Sequence, residues 1–271
     1  MMIIFRKRSI LLAVVGLPLL LATMLLGPRA LHAQSCTEEV EGNNQPAVAQ
    51  AVSGAACITG TLEADDQDLF RWTVEEAGAR QRWQFTLQGL PAGLTTLQIL
   101  RITLAENGTD AADSTELYTL DARNGGTSTS APLLLLAGDY YLGIAGAGGT
   151  GAYQLTIDAS EPLTAPGDAN ASRETPAPLA APNLQSPVVT SGDLQGEDDY
   201  FSFTLDEAAT AQRWQISAQL PLGEDGYLYL YDAAGNQLDY RQVNAVGQVS
   251  LAALGLTAGD YQIRVYQGRD D

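Results

Sequence analysis

Apolar and polar residues alternate in short runs along most of the chain. Phe70, Trp72 and Val74 take every second place, as do Phe201, Phe203 and Leu205, while Trp83, Phe85 and Leu87 resume the period after a turn. A period of two sends successive side chains to opposite faces, so each run predicts a half-buried β-strand. Gly and Asp punctuate the runs at short intervals, and beyond residue 33 no stretch holds a helical apolar period for three turns. The pattern predicts an all-β chain.

The pattern also repeats. Gln-Arg-Trp-Gln stands at 81–84 and again at 212–215, and around it Asp68–Ala77 lies over Asp199–Ala208 without a gap. Leu97–Arg101 falls on Leu228–Asp232 at the same offset of 131, whereas Ala137–Ile144 falls on Ala258–Val265 at an offset of 121. An insertion of ten residues in the first copy accounts for the change, and polar, acidic Ala105–Ser114 is assigned to it as a loop. The reading is a tandem duplication of an antiparallel β-sandwich with a jelly-roll-like path. Trp83 and Trp214 are predicted core anchors, with Arg82 and Arg213 pointing outward.

The expected divisions are an export segment at 1–33, a first sandwich at 34–160, a linker at 161–187 and a second sandwich at 188–271. Pro162, Pro166, Pro176, Pro178, Pro182 and Pro187 make the linker extended. The first copy runs on to Gly151–Ile157, a closing strand with no counterpart in the second. The second sandwich is therefore expected to be truncated, either as a fragment of a longer protein or awaiting a strand from another subunit.

Arg6, Lys7 and Arg8 followed by the apolar run Ile10–Leu26 and by Leu31-His32-Ala33 read as a signal peptide, cleaved or retained as a membrane anchor. Either way the remainder is expected outside the cytoplasm, secreted or on the cell surface. Net charge is −18; without residues 1–33, which carry four basic residues and no acidic one, it is −22. So negative a surface excludes nucleic acid as a partner, and leaves the membrane only to the N-terminal segment. Cys36 and Cys57 form an even pair in an oxidising compartment and are expected to make a disulfide. Lys7 and His32, the sole Lys and His, both lie in the export segment. The usual nucleophiles, bases and metal-ligating imidazoles are thus missing, no catalytic residue is assigned, and the chain is expected not to be an enzyme.

Several short motifs carry a resemblance. Glu41-Gly-Asn43-Asn44 with Ala49, Asp68-x-Phe70 and Asp199-x-Phe201, Leu230-Tyr-Asp232-Ala-Ala-Gly235, and Ala-Gly-Asp-Tyr before a last hairpin together resemble the bacterial pre-peptidase C-terminal domain family. The resemblance spans nearly the whole chain beyond the export segment, although the second opening motif is reduced to Asp168-Ala-Asn170 and no peptidase domain is present. It implies secreted β-sandwich modules that bind polysaccharide or structural protein, some of them with calcium near the start of the domain. Calcium is accordingly the candidate cofactor, with Glu41, Asn43 and Asn44 and the turn acids Asp65, Asp66, Asp68, Glu197, Asp198 and Asp199 as candidate ligands.

The candidate ligand-binding residues are Tyr227, Tyr229 and Tyr231. On a strand they share one face, with rings about 7 Å apart, while Leu228 and Leu230 turn to the core. The first copy has Thr96, Gln98 and Leu100 at these places. The expected function is a non-catalytic binding, adhesion or spacer module at the cell surface or beyond it; the alternative is an accessory or pro-region of a secreted hydrolase.

Overall fold

The protein is described by a computed structural model covering residues 2–5, 35–106, 111–162, 170–180, 188–190 and 198–268. It is a β protein throughout: among the described residues the only helical turns are three short 3-10 segments. Strand β1 is Met2–Phe5. Then come β2 (Thr37–Glu38), β3 (Gln50–Ser53), β4 (Ala56–Leu62), β5 (Gln67–Val74), β6 (Arg82–Gln88), β7 (Leu94–Leu104) and β8 (Ala111–Arg123). The first half closes with β9 (Thr127–Thr129), β10 (Leu133–Leu134), β11 (Gly138–Ala147) and β12 (Gly151–Ala159). The second half holds β13 (Ala177–Pro178), β14 (Val189–Thr190), β15 (Asp199–Leu205), β16 (Trp214–Gln219), β17 (Gly226–Asp232), β18 (Gln237–Gln242), β19 (Gln248–Leu254) and β20 (Gly259–Gln267).

In the first half, sheet β3-β5-β11-β7-β8 faces sheet β2-β4-β12-β6-β10, and β9 also pairs with β6. Their inner faces make one hydrophobic cluster, to which β5 gives Phe70, Trp72 and Val74, β6 gives Trp83, Phe85 and Leu87, and β12 gives Leu155 and Ile157. Sheets β13-β15-β20-β17-β18 and β14-β1-β16-β19 enclose a second cluster around Phe201, Phe203, Trp214, Ile216, Leu228 and Leu230. This is the sandwich that alternation demands: the strands that build the two clusters hide one face, and hiding each large side chain contributes roughly 1.5–3 kcal/mol.

The two tryptophans do the same work in both halves. Trp83 and Trp214 are buried, and each indole N–H donates to a backbone carbonyl five residues upstream, Gly78 at 3.0 Å and Ala209 at 3.2 Å. A buried indole without such an acceptor would forfeit part of its burial energy. Trp72 packs edge-on against Trp83, with centroids 4.8 Å apart. Outside the indole, Arg213 is exposed and Arg82 half-buried. Other bonds recur at the same offsets. Thr73 and Thr204 each donate to an aspartate, Asp139 and Asp260, at 2.6 Å, and the Tyr140 and Tyr261 hydroxyls donate to Leu136 and Thr257 carbonyls.

Three expectations change. Ala105–Ser114 is not simply a loop, because Ala111–Ser114 belong to β8 and pair with Ile102–Leu104 of β7. Those residues are exposed on both faces, so ladder hydrogen bonds hold them and no alternation betrays them. The stretch 161–187 is not wholly linker: Ala177–Pro178 adds a parallel edge strand to β15, a position that tolerates proline, and buried Asn170 accepts from the Tyr200 N–H at 2.8 Å. Finally, the place of the closing strand in the second half is taken by β1. The rest of the expected export segment lies outside the described residues. Among the described residues, no helix is long and apolar enough to cross a membrane.

Candidate functional site

Strand β17 builds an aromatic platform. Leu228 and Leu230 are fully buried, which turns Tyr227, Tyr229 and Tyr231 to the outer face with ring centroids 6.0 and 6.1 Å apart. Cross-strand register then widens the row. Tyr227 stands opposite Tyr266 of β20, and Tyr229 opposite Tyr240 of β18. Those rings lie near-parallel to their partners at 6.2 and 5.8 Å. Five tyrosines thus tile one outer sheet face.

Two guanidiniums are set into this face. Arg264, opposite Tyr229 on β20, sits 5.2 Å from the Tyr229 centroid and 5.0 Å from that of Tyr266, and Arg173 lies 4.9 Å over Tyr231. Asp198 anchors Arg264 at 2.8 Å, and the Tyr200 hydroxyl donates to the same carboxylate at 3.3 Å. Burial works against the Arg264 charge, but hydrogen bonds to Asp198 and Tyr231 outweigh it and hold the guanidinium pKa above its ordinary value. Burial pushes the Tyr229 hydroxyl up, so a neutral ring faces the charged Arg264 guanidinium.

A second constellation lies on the first half. Carboxylate oxygens of Glu39, Glu41 and Asp68 all come within 4.8 Å of one another. Asp68, the second residue of β5, is buried, and its Oδ2 accepts from the Tyr153 hydroxyl of β12 at 2.7 Å. Glu39 follows β2, which pairs with β4, and its Oε2 accepts from the Thr61 N–H at 3.0 Å. Gly60 leaves the room: a methyl there would run into the Tyr153 hydroxyl and the Glu39 carboxylate. The loop bearing Glu41 is tied down where the Leu69 N–H donates to the Asn43 carbonyl at 3.2 Å. Asn43 itself is 1% exposed, and among the described residues neither atom of its side-chain amide has a partner; Glu39 Oε1 and Asp68 Oδ1 are likewise buried and unpartnered.

Burial, reinforced by the Glu39 charge and opposed by the Tyr153 hydrogen bond, pushes the Asp68 carboxyl up to about 7. Glu41 is raised as well, chiefly by the Glu39 charge. Clustered carboxylate oxygens, of which Glu39 Oε1 and Asp68 Oδ1 have no donor among the described residues, are what a hard divalent cation recognises, and Glu39, Glu41 and Asp68 are the residues that could hold one.

Of the acidic and amide candidates in the sequence, Glu41 and Asp68 therefore come together, while Asn43 is placed next to them in the chain by its backbone carbonyl on Leu69. Asn44 donates to Asp66 at 3.0 Å beside them, and Asp65 is an exposed turn residue with φ 63°. Asp198 serves Arg264 instead, Asp199 is buried at the position equivalent to Asp68, and Glu197 lies outside the described residues. Glu39, Tyr240, Tyr266, Arg173 and Arg264 escaped the sequence reading. Cys36 and Cys57 form a disulfide, with Cα atoms 4.4 Å apart.

No family model and no curated protein matches the chain. Among solved structures it is similar to the pre-peptidase C-terminal domain of a collagenase from Bacillus anthracis, at 20% identity over 43% of this chain and 100% of that one, with a TM-score of 0.26. It is also similar to the PBSX exported protein XepA, at 12% identity over 77% of this chain and 84% of that one, TM-score 0.27. A third similar structure is tripeptidyl peptidase 2, at 10% identity over 80% of this chain and 22% of that one, TM-score 0.29.

Proposed function

We propose that the chain is an exported, non-catalytic pair of β-sandwich modules that binds polysaccharide through the tyrosine platform, with calcium clamping the first module. The platform carries this reading. Five rings and two stacked guanidiniums on one sheet face offer flat apolar area, hydroxyl donors and fixed positive charge, the combination that stacks on sugar rings and engages their hydroxyl or carboxylate groups. Polysaccharide is favoured over a structural protein because rings spaced 6.0 and 6.1 Å apart along one strand present successive faces on which sugar rings can stack. The disulfide and the N-terminal signature support export, and confinement of Lys7 and His32 to that N-terminal segment supports the absence of catalysis.

The test is a retention assay on insoluble polysaccharides, with fibrillar collagen in parallel. Each ring stack is worth about 0.5–1.5 kcal/mol beyond burial. Tyr229→Ala with Tyr240→Ala should therefore weaken retention on polysaccharide by roughly 5- to 150-fold at unchanged melting temperature. Retention on collagen alone, or equal retention by the variant, would discard the polysaccharide reading.

A further inference from the structure

The two guanidiniums of the tyrosine platform stand in different electrostatic settings. Arg264 already has its counter-charge, because its Nη2 donates to both oxygens of Asp198, at 3.0 and 2.8 Å. Arg173 has no such carboxylate: among the described residues the ion pairs are Arg241–Asp239 and Arg264–Asp198. Its Nε donates to Gln262 Oε1 at 3.2 Å, which leaves Nη1 and Nη2, the end-on fork of the guanidinium, for another acceptor. Asp232, next to Tyr231 in the chain, is engaged elsewhere. It accepts from the Asn236 N–H at 2.8 Å and from the Asn236 side-chain amide at 2.9 Å, and these bonds hold its carboxyl below the ordinary range.

Arg173 is also fixed in place. Its segment crosses the outer face of the sheet: the Asn170 carbonyl accepts from the Tyr200 N–H of β15 at 2.8 Å, and the Arg173 carbonyl accepts from Gln262 Nε2 of β20 at 3.3 Å. Gln262 stands opposite Tyr231, so these bonds deliver the guanidinium to the Tyr231 end of the row, 4.9 Å over that ring. Gly235 makes the room, since any Cβ at that position would run into Arg173 Nη2. A cation held this way loses little further freedom when it meets an anion. Its setting is the exception in a chain of net charge −18, which repels polyanions at long range. An anion can be welcome here only through local contact.

Resting on the polysaccharide reading, we propose that the platform selects acidic sugars: a uronic acid stacks on the tyrosine row, and the Nη1–Nη2 fork of Arg173 receives its carboxylate. In a uronate the carboxylate is bonded directly to the pyranose ring, so stacking the ring also positions the charge. Two parallel N–H···O bonds then form between planar groups, which the hydroxymethyl group of a neutral sugar cannot match. A sulfate ester is tetrahedral and set off from the ring by an extra oxygen, and it fits the fork less well. Arg264, compensated by Asp198, contributes ring contact without net charge.

The test compares matched polymers on the full chain, at about 0.15 M salt so that charges more than about 8 Å apart are screened. Chelator is present, so that no cation bridges the acidic chain to an acidic polymer. Cellulose is set against cellulose oxidised at its primary alcohols, and bead-bound polygalacturonate against its methyl ester, with cellulose sulfate alongside. In at least one pair the acid should be retained roughly tenfold or more above its neutral partner. Arg173→Gln keeps a planar amide without the charge and should bring that ratio to about one at unchanged melting temperature. Asp198→Asn uncovers the Arg264 charge and should raise the ratio. Equal retention of acid and neutral polymer in both pairs would overturn the proposal and leave the polysaccharide reading standing, whereas retention on none of the polymers would remove both. Retention on cellulose sulfate equal to that on the acids, or an undiminished ratio in Arg173→Gln, would also overturn it.

Discussion

Replacing Asp68 by Asn separates the charge of the acidic cluster from its shape. The amide keeps an oxygen that accepts from the Tyr153 hydroxyl but carries no charge next to Glu39 and Glu41. In the native chain burial, aided by Glu39, moves the carboxyl from an ordinary 3.8 to about 7. The folded state therefore binds this proton more tightly than the unfolded state, and the stability tied to it is full below about pH 4 and lost as pH rises through 7. At about 1.4 kcal/mol for each tenfold change in proton affinity, the ionised form costs ~4 kcal/mol at pH 8. Roughly 2–3 kcal/mol of that is incurred between pH 5 and pH 8. In chelator, the wild-type chain should lose about 10 °C more than Asp68→Asn over this interval, at roughly 4 °C for each kcal/mol. Millimolar calcium should restore the wild type at pH 8 and leave the variant unmoved, since the cation replaces the proton as neutraliser of the cluster. Circular dichroism melts at several pH values, with chelator or calcium, read both effects. Parallel pH profiles of the two proteins in chelator, or an equal gain from calcium in both, would refute the reasoning.

Two further expectations concern the frame that carries the sites. Cys36→Ser with Cys57→Ser opens a loop with a sequence separation of 21 and should cost about 3 kcal/mol in a urea titration; because β2 is pinned beside β4 by this link, calcium response should fall too. Trp214→Ala removes a buried indole and its bond to the Ala209 carbonyl, and should cost about 3–5 kcal/mol, seen as early unfolding of the second half by hydrogen exchange while the first half keeps its protection.

Legibility in the sequence followed burial. Strands β5, β6, β15, β16 and β17 each hide one face, so their alternation was plain, and with it the buried tryptophans and the tyrosine row. What depended on register was not legible. Tyr240 and Tyr266 join the platform only through the pairing of β17 with β18 and β20, and β18 shifts register between Leu230 and Tyr231. Glu39 reaches Asp68 only because a two-residue strand, too short to show any period, lies parallel to β4. Met2–Phe5, read as the start of an export segment, gave no sign of a strand place elsewhere.

The two offsets also show how the sites were distributed. Bonds that recur at 131 or 121, such as the indole donors and the Thr–Asp pairs, maintain the sandwich and say nothing of a ligand. Departures from the repeat are the informative positions. Thr96 and Gln98 on β7 are spent on Asp121 and Glu116, whereas their counterparts Tyr227 and Tyr229 present rings to the outer face. Conversely Asp68 has Tyr153 of β12 as its donor, and the second half has β1, a shorter strand without a tyrosine, at that place. Under the proposed function, cation binding belongs to the half whose Asp68 meets Tyr153 of β12, and aromatic stacking to the half whose corresponding strand place is held by β1.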